Sequence, residues 1–313
     1  MITRRTVIGA LSAVAMLGVS LPAMAQDMYI PLISKGFQHQ FWQAVKAGAD
    51  KAAAEFGVQV TFEGPDTEAQ VDRQIDMLAA ALAKNPAAIG FAALDSQAAI
   101  PLLQQAKDRN IPVIAFDSGV DSDIPVATAS TDNVAAAALA ADKMAELIGG
   151  EGKIAPVVPD QPSRTGIDRR DGFVTRMKEA YPKVEIVDVQ YGSGDHLQST
   201  EITKSILLAH ADLKGIFGAN EGSAIGVMNG AKELGRTIVI IGYDSGVQQK
   251  QAIRDGVMAG AITQNPVGIG YETVKAAVAA AKGQPVEKSI DTGFYWYDKS
   301  NIDSPEIAAV LYD

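Results

Sequence analysis

The sequence predicts an α/β protein built as two doubly wound parallel-sheet lobes. Two observations predict it. From Tyr29 onward, short β-rich runs alternate with longer amphipathic stretches, the pattern of βαβ units. Near the middle of the 313-residue chain the alternation starts afresh as a second series, and two similar series suit two lobes of ordinary domain size.

In the first series, strands are expected at 29–34, 58–62, 88–92 and 112–116, separated by helices at 41–56, 67–84 and 96–109. Gly57 stops the first helix, and Asn110 with Pro112 closes the third, since glycine adopts the left-handed cap conformation and proline cannot continue a helix. The second series opens with a helix at 133–148 that ends on Gly149-Gly150-Glu151-Gly152. No Gly-Lys-Ser/Thr follows these glycines, so they form no phosphate loop. Strands are then expected at 153–158, 184–190, 215–219 and 239–243, with helices at 167–180, 197–209 and 222–234. A helix at 247–255, a strand at 259–263, a helix at 267–282 and a terminal segment containing 292–297 complete the chain. Low-complexity linkers are absent, so the lobes are expected to be joined by short extended crossings near Thr131, Gln264 and Asp291.

Ahead of the first strand, Arg4 and Arg5 precede an apolar run over 7–21 and the pattern Ala23-Met24-Ala25, the order of a secretory signal peptide cleaved near Ala25. Thr3-Arg4-Arg5-Thr6 also suits twin-arginine export, and both routes stay open. Glycine and serine interrupt this run, and every later apolar run is broken within about a dozen residues, so an exported, soluble, periplasmic chain is expected.

The chain has no cysteine, so it relies on its core instead of disulfides, and a catalytic thiol or thiolate metal site is impossible. Its formal net charge of −10 becomes −12 once the two arginines of the leader are removed, which disfavours nucleic acid as a partner. His39, His196 and His210 are scattered without metal-ligand spacing. There is no G-x-G-x-x-G after the first strand, no Walker loop and no G-x-S-x-G elbow, so neither an enzyme nor a cofactor is expected. An export leader also stands where a sugar-responsive repressor would carry its helix-turn-helix.

Several segments together resemble the ribose-, allose- and galactose-type periplasmic binding proteins of ABC importers. They are the stretch from Ser34-Lys35-Gly36 to Phe41-Trp42, Ile111-Pro112-Val113-Ile114-Ala115-Phe116-Asp117, Thr131-Asp132-Asn133, Ile216-Phe217-Gly218-Ala219-Asn220-Glu221, Val239-Ile240-Ile241-Gly242-Tyr243-Asp244, and Ala261-Ile262-Thr263-Gln264-Asn265-Pro266. The resemblance covers essentially the whole mature chain and implies the type I periplasmic binding fold, with a three-strand hinge. It implies an N-terminal lobe of 26–131 plus 265–290 and a C-terminal lobe of 132–264 plus 291–313. It further implies a ligand cleft at the carboxyl ends of the strands, hinge closure over a small sugar, and delivery to a permease in the inner membrane by a monomer.

A neutral sugar offers hydroxyls around its edge and apolar faces, so carboxylates, guanidinium, planar amides and aromatic rings suit it. Asp117 and Asp244 follow apolar strands and reach the cleft edge, although aspartate after a strand also serves as a cap or turn residue. Asn220 follows a strand and opens a helix, as a ligand residue or an N-cap, and Gln264 sits at a crossing. Phe41 and Trp42 open the first helix, where an aromatic pair is otherwise core; in the resembling proteins aromatics here pack on the sugar. Lys35 matches a lysine of allose-type relatives or is a solvated surface lysine, and His39 stands where relatives commonly carry asparagine. Arg169 is the expected forked contact to hydroxyls, with Arg164 in reserve. Ser118 replaces an arginine of ribose-type members and Gly194 falls near an aromatic of theirs, so a ribose pocket copied residue for residue is not expected. Glu221 either caps its helix or adds a carboxylate suited to an amino sugar. A polyol, another small metabolite or a chemosensory role are the alternatives to neutral-sugar transport.

Overall fold

The protein is described by a computed structural model over residues 28–312. The leader read over 1–25 lies outside the described residues. The first series folds as β1 Tyr29–Ile33, α1 Gln40–Phe56, β2 Gln59–Glu63, α2 Val71–Ala83, β3 Ile89–Phe91, α3 Ile100–Asp108, β4 Val113–Phe116 and β5 Ala127–Ser130. The second is α4 Asn133–Ile148, β6 Gly152–Val158, α5 Arg164–Ala180, β7 Val184–Ile186, β8 Gln190–Tyr191, α6 His196–Ala209, β9 Leu213–Gly218, α7 Glu221–Glu233, β10 Val239–Tyr243, α8 Val247–Arg254 and β11 Gly260–Gln264. The chain ends with α9 Pro266–Ala281, β12 Ser289–Asp291, β13 Phe294–Asp298 and α10 Pro305–Ala308.

Two sheets result. The first has the order β12-β5-β4-β3-β1-β2 and is parallel throughout. The second has the order β13-β11-β10-β9-β6-β7, with β8 also on β6, and is parallel except where β13 runs against β11. The chain passes between the sheets three times: after β5, after β11, and from β12 to β13. In both sheets the strands all point their carboxyl ends one way apart from β13, and in open sheets of this kind the loops beyond those ends form the ligand crevice.

Period-two alternation explains the layers. Ile30 and Leu32 of β1 and Ile114 and Phe116 of β4 pack with α1 and α9, whereas Ile33, Ile89, Phe91 and Val113 pack with α2 and α3 on the other face. In the second sheet Ile154, Phe217, Ile241 and Ile262 face α4 and α5, and Ala155, Val157, Ile216, Ile240 and Ala261 face α6 to α8.

The structure departs from the sequence expectations mainly at helix starts and weak strands. Residues 67–70 form a turn, closed by Gln70 N–H to Thr67 O at 3.3 Å, so α2 begins at Val71 instead of Thr67. The Asp95 carboxylate takes the N–H groups of Gln97 and Ala98 in a local turn, delaying α3 to Ile100. Ser163 caps the Gly166 N–H, so α5 begins at Arg164, earlier than expected. The single strand expected over 184–190 is two short ones, β7 and β8. Strand β5, Ala-Thr-Ala-Ser, and the three-residue β12 carry too little β-branched or aromatic character to stand out.

Helices α1 and α9 cross unusually closely. A Cβ on Gly270 would lie 1.9 Å from Val45 O, and one on Gly48 would lie 2.0 Å from Val267 O. Both obstacles are backbone, which cannot swing aside. Gly270→Ala is therefore expected to lower the unfolding free energy by about 1–3 kcal/mol despite alanine's better helix propensity, as read by urea titration.

Candidate functional site

Strands β4 and β10 end alike, in Phe116-Asp117-Ser118-Gly119-Val120 and Tyr243-Asp244-Ser245-Gly246-Val247. Each aspartate lies in the left-handed region, with φ of 55° at Asp117 and 77° at Asp244. Residues other than glycine seldom adopt this conformation, and such outliers gather at ligand sites. It is held by the aspartate's own N–H, which donates to the neighbouring strand: Asp117 to Ala129 O at 2.9 Å and Asp244 to Ile262 O at 2.6 Å. Both carboxylates thereby line one small cavity between the two sheets.

Nine of the ten expected site residues line this cavity: Lys35, His39, Phe41, Trp42, Asp117, Arg169, Asn220, Asp244 and Gln264. Arg164 does not. Thr165 and Arg169, four apart on α5, share the cavity face, while Arg164 pairs with Asp168 on the next face and meets Asp121 at 3.4 Å, with its side chain 37% exposed. Glu68, Pro159 and Thr165 complete the lining and were not singled out from the sequence.

Several lining groups are held by partners in or behind the cavity wall. The Arg169 guanidinium lies 3.8 Å above the Tyr243 ring, donating through Nε to Asn133 Oδ1 at 2.8 Å and through Nη1 to Ala219 O at 3.0 Å. Asn220 is both cap and lining: its Oδ1 accepts the Ser223 N–H at 2.8 Å, which leaves its amide NH₂ for the cavity. Gln264 accepts from Thr131 Oγ1 at 2.8 Å and donates to Asp244 Oδ1 at 2.7 Å, tying two of the crossings to one carboxylate. Lys35 is buried instead of solvated, with Nζ 3.1 Å from Thr165 Oγ1, 3.2 Å from Ser163 Oγ and 3.4 Å from Asp160 Oδ2. Phe41 and Trp42 meet edge to face at 4.9 Å, and Trp42 Nε1 donates to Glu68 Oε1 at 2.8 Å.

Two buried polar atoms of the lining, His39 Nε2 and Asp117 Oδ1, have no hydrogen-bond partner within the protein. Burial pushes Asp117 up to about 7, against the opposing pull of Arg169 and Lys35. Burial likewise raises Asp244, although Arg169 and the Gln264 amide favour its charge. Burial acts on Glu68 in the same sense, but Lys35, His39 and the Trp42 N–H outweigh it and hold that carboxyl below its ordinary value. Among the described residues, no group of three or more His, Asp or Glu is arranged to hold a metal ion.

The lobes also grip each other beside the cavity. His39, the N-cap of α1, makes no side-chain cap. Instead the Glu221 carboxylate, from the opposite side of the cleft, accepts the N–H groups of Gln40 and Phe41, both at 3.2 Å. In return Gln40 Oε1 accepts the N–H of Val247, which opens α8 behind the side-chain-less Gly246, at 2.8 Å. Tyr312, near the chain terminus, accepts the Ser245 N–H at 3.2 Å, reaches Glu221 at 3.4 Å and sets its ring edge to face with Phe41 at 6.1 Å. Glu221 is thus spent on the opposite lobe, which removes it from the ligand set.

Residues 30–285 match the sequence pattern of the periplasmic binding protein domain. The ribose import binding protein RbsB of Haemophilus influenzae is 28% identical, the alignment covering 90% of this chain and 95% of that protein. An ABC transporter solute-binding protein of Agrobacterium vitis, solved with bound D-fucose, is 35% identical with a TM-score of 0.88 over 91% of this chain and all of that one. A carbohydrate transporter solute-binding protein of Agrobacterium radiobacter, solved with D-arabinose, is 31% identical with a TM-score of 0.89 over 92% and 99% of the two chains. With its two parallel-sheet lobes and the cavity between them, the chain belongs to the periplasmic binding protein domain family.

Proposed function

We propose that this chain is an exported solute-binding protein that captures one neutral pentose or hexose between its lobes and delivers it to the permease of an ABC importer. The observation that carries this reading is the lining: a buried cavity whose edge is set with carboxylates, an imidazole, guanidinium and amides, two of them with unpartnered polar atoms, and whose wall carries the Phe41–Trp42 pair. Hydroxyls satisfy such edges because they donate and accept, and a pyranose or furanose face suits an aromatic wall. Positive and negative groups are both present, so neither a sugar acid nor an amino sugar is specially favoured. The proteins of similar sequence and structure carry names or ligands from the same class, ribose, D-fucose and D-arabinose.

Lys35, His39, Phe41, Trp42, Asp117, Arg169, Asn220, Asp244 and Gln264 are the proposed ligand residues. No chemistry is required of them, and turnover of the bound sugar would contradict the reading. The bound sugar favours the closed arrangement because only there do both lobes contact it. Residues 1–25 act as the cleaved leader, the lobes divide at the three crossings, and the protein works as a monomer.

Isothermal titration of ligand-stripped protein against pentoses, hexoses, polyols, amino sugars and amino acids is expected to show one neutral sugar binding tightly. Asp244→Ala is expected to weaken it by about ten- to a hundredfold, the worth of hydrogen bonds to a charged group. Binding of an amino acid with no response to any sugar would refute the assignment.

Asp117 adds a pH signature. Its carboxyl moves from an ordinary 3.8 to about 7 in the fold. A carboxyl raised on folding keeps a proton that the unfolded chain has released, so it costs stability progressively as pH climbs through that window. Asp117→Asn is therefore expected to gain stability relative to the ligand-free native protein between pH 5 and pH 8, as read by urea unfolding at each pH. A difference that stays constant with pH would contradict the assignment.

A further inference from the structure

Glu68 stands on the turn before α2, its side chain only 6% exposed. Its two oxygens do different things. Oε1 takes the Trp42 indole N–H, fixing the ring plane in the cavity wall. Among the described residues no hydrogen bond reaches Oε2; Lys35 Nζ, at 3.8 Å, is an ion-pair partner beyond hydrogen-bonding reach.

The opposite lobe comes close to Oε2 at Gly194. Gly194, at φ +63°, carries no side chain, and a Cβ placed there would stand 2.9 Å from Glu68 Oε2 and 3.2 Å from Asn220 Nδ2. The two polar atoms are therefore no more than 6.1 Å apart across that gap. Both residues line the same cavity, where a ligand hydroxyl can donate to the carboxylate and accept from the amide with ordinary hydrogen bonds of ~2.7–3.0 Å. The Asn220 NH₂ is available for this because its carbonyl oxygen is already used as the cap of α7.

We propose that Glu68 is a specificity-determining residue, which with Asn220 selects one particular hydroxyl of the sugar while holding Trp42 in its stacking orientation. The inference rests on the sugar reading above. A carboxylate oxygen and an amide facing each other in a buried site reject an analogue that lacks the bridging hydroxyl, since both would be left unpaired.

The test is a monodeoxy series of the tightest-binding sugar, titrated calorimetrically against native protein and Glu68→Gln. Against native protein, one monodeoxy derivative is expected to lose about ten- to a hundredfold in affinity. Against Glu68→Gln, the parent sugar is expected to weaken by a similar factor and that same derivative to lose little more, so the two deletions are coupled. Equal deoxy penalties in both proteins at every position would overturn the proposal and leave Glu68 a support for Trp42 alone, a role that weakens all sugars alike. Absence of binding by any sugar would instead overturn the reading on which the proposal stands. Should Glu68→Gln fold poorly, Gly194→Ala, whose methyl would crowd both Glu68 Oε2 and Asn220 Nδ2, is expected to abolish the same discrimination while leaving Glu68 in place.

Discussion

Between the lobes Lys35, Glu68, Asp117, Arg169 and Asp244 lie out of water together, and the design of the site follows from that desolvation. A buried charge is tolerated only when paired and hydrogen-bonded. Lys35 meets that condition with partners on the opposite lobe, Arg169 with Asn133, Ala219 and the Tyr243 face, and Glu68 with Trp42 and Lys35. Asp117 does not, and its raised pKa records the deficit. A ligand rich in hydroxyls would supply what is missing, as the proposed sugar reading requires.

The lobes also attract one another without passing through the cavity, by the reciprocal capping of α1 and α8. The first N–H groups of a helix have no partner within the helix and carry the positive end of its dipole, so a carboxylate placed there is stabilised. Here the carboxylate of Glu221 arrives from the far lobe, and Gln40 returns the service to Val247. Neither cap survives if the lobes separate, which couples helix ends to the hinge without a ligand contact. Tyr312 reinforces the same corner, giving the end of the chain a place at the cleft.

Much of this was legible in the sequence. Apolar strands ending in aspartate, a strand followed by Asn220 and a helix, and an aromatic pair at a helix start all mark positions whose place depends on local order along the chain, and those residues gather in one cavity. Arg164 and Arg169 were harder to separate, because the choice turns on the helical phase set by the Ser163 cap. Glu68 was hidden because its segment read as the first turn of a helix, whereas the helix starts four residues later and Glu68 lies on the turn beside the cavity. Glu221 was seen, but its target lies 181 residues away in sequence, a distance over which no periodicity speaks. Strand β5 escaped notice because Ala-Thr-Ala-Ser is buried by its neighbours, not by its own composition.

The most direct test of ligand-driven closure is the distance between the lips of the cleft. The chain has no cysteine, so Ala69→Cys on one lip and Leu197→Cys on the other, both exposed, carry spin labels without background. Pulsed dipolar spectroscopy should show a broad or longer distance without ligand that collapses to one short distance when the bound sugar is added. An unchanged distribution, short in both conditions, would mean that the cleft closes on its own and that the sugar does not complete it.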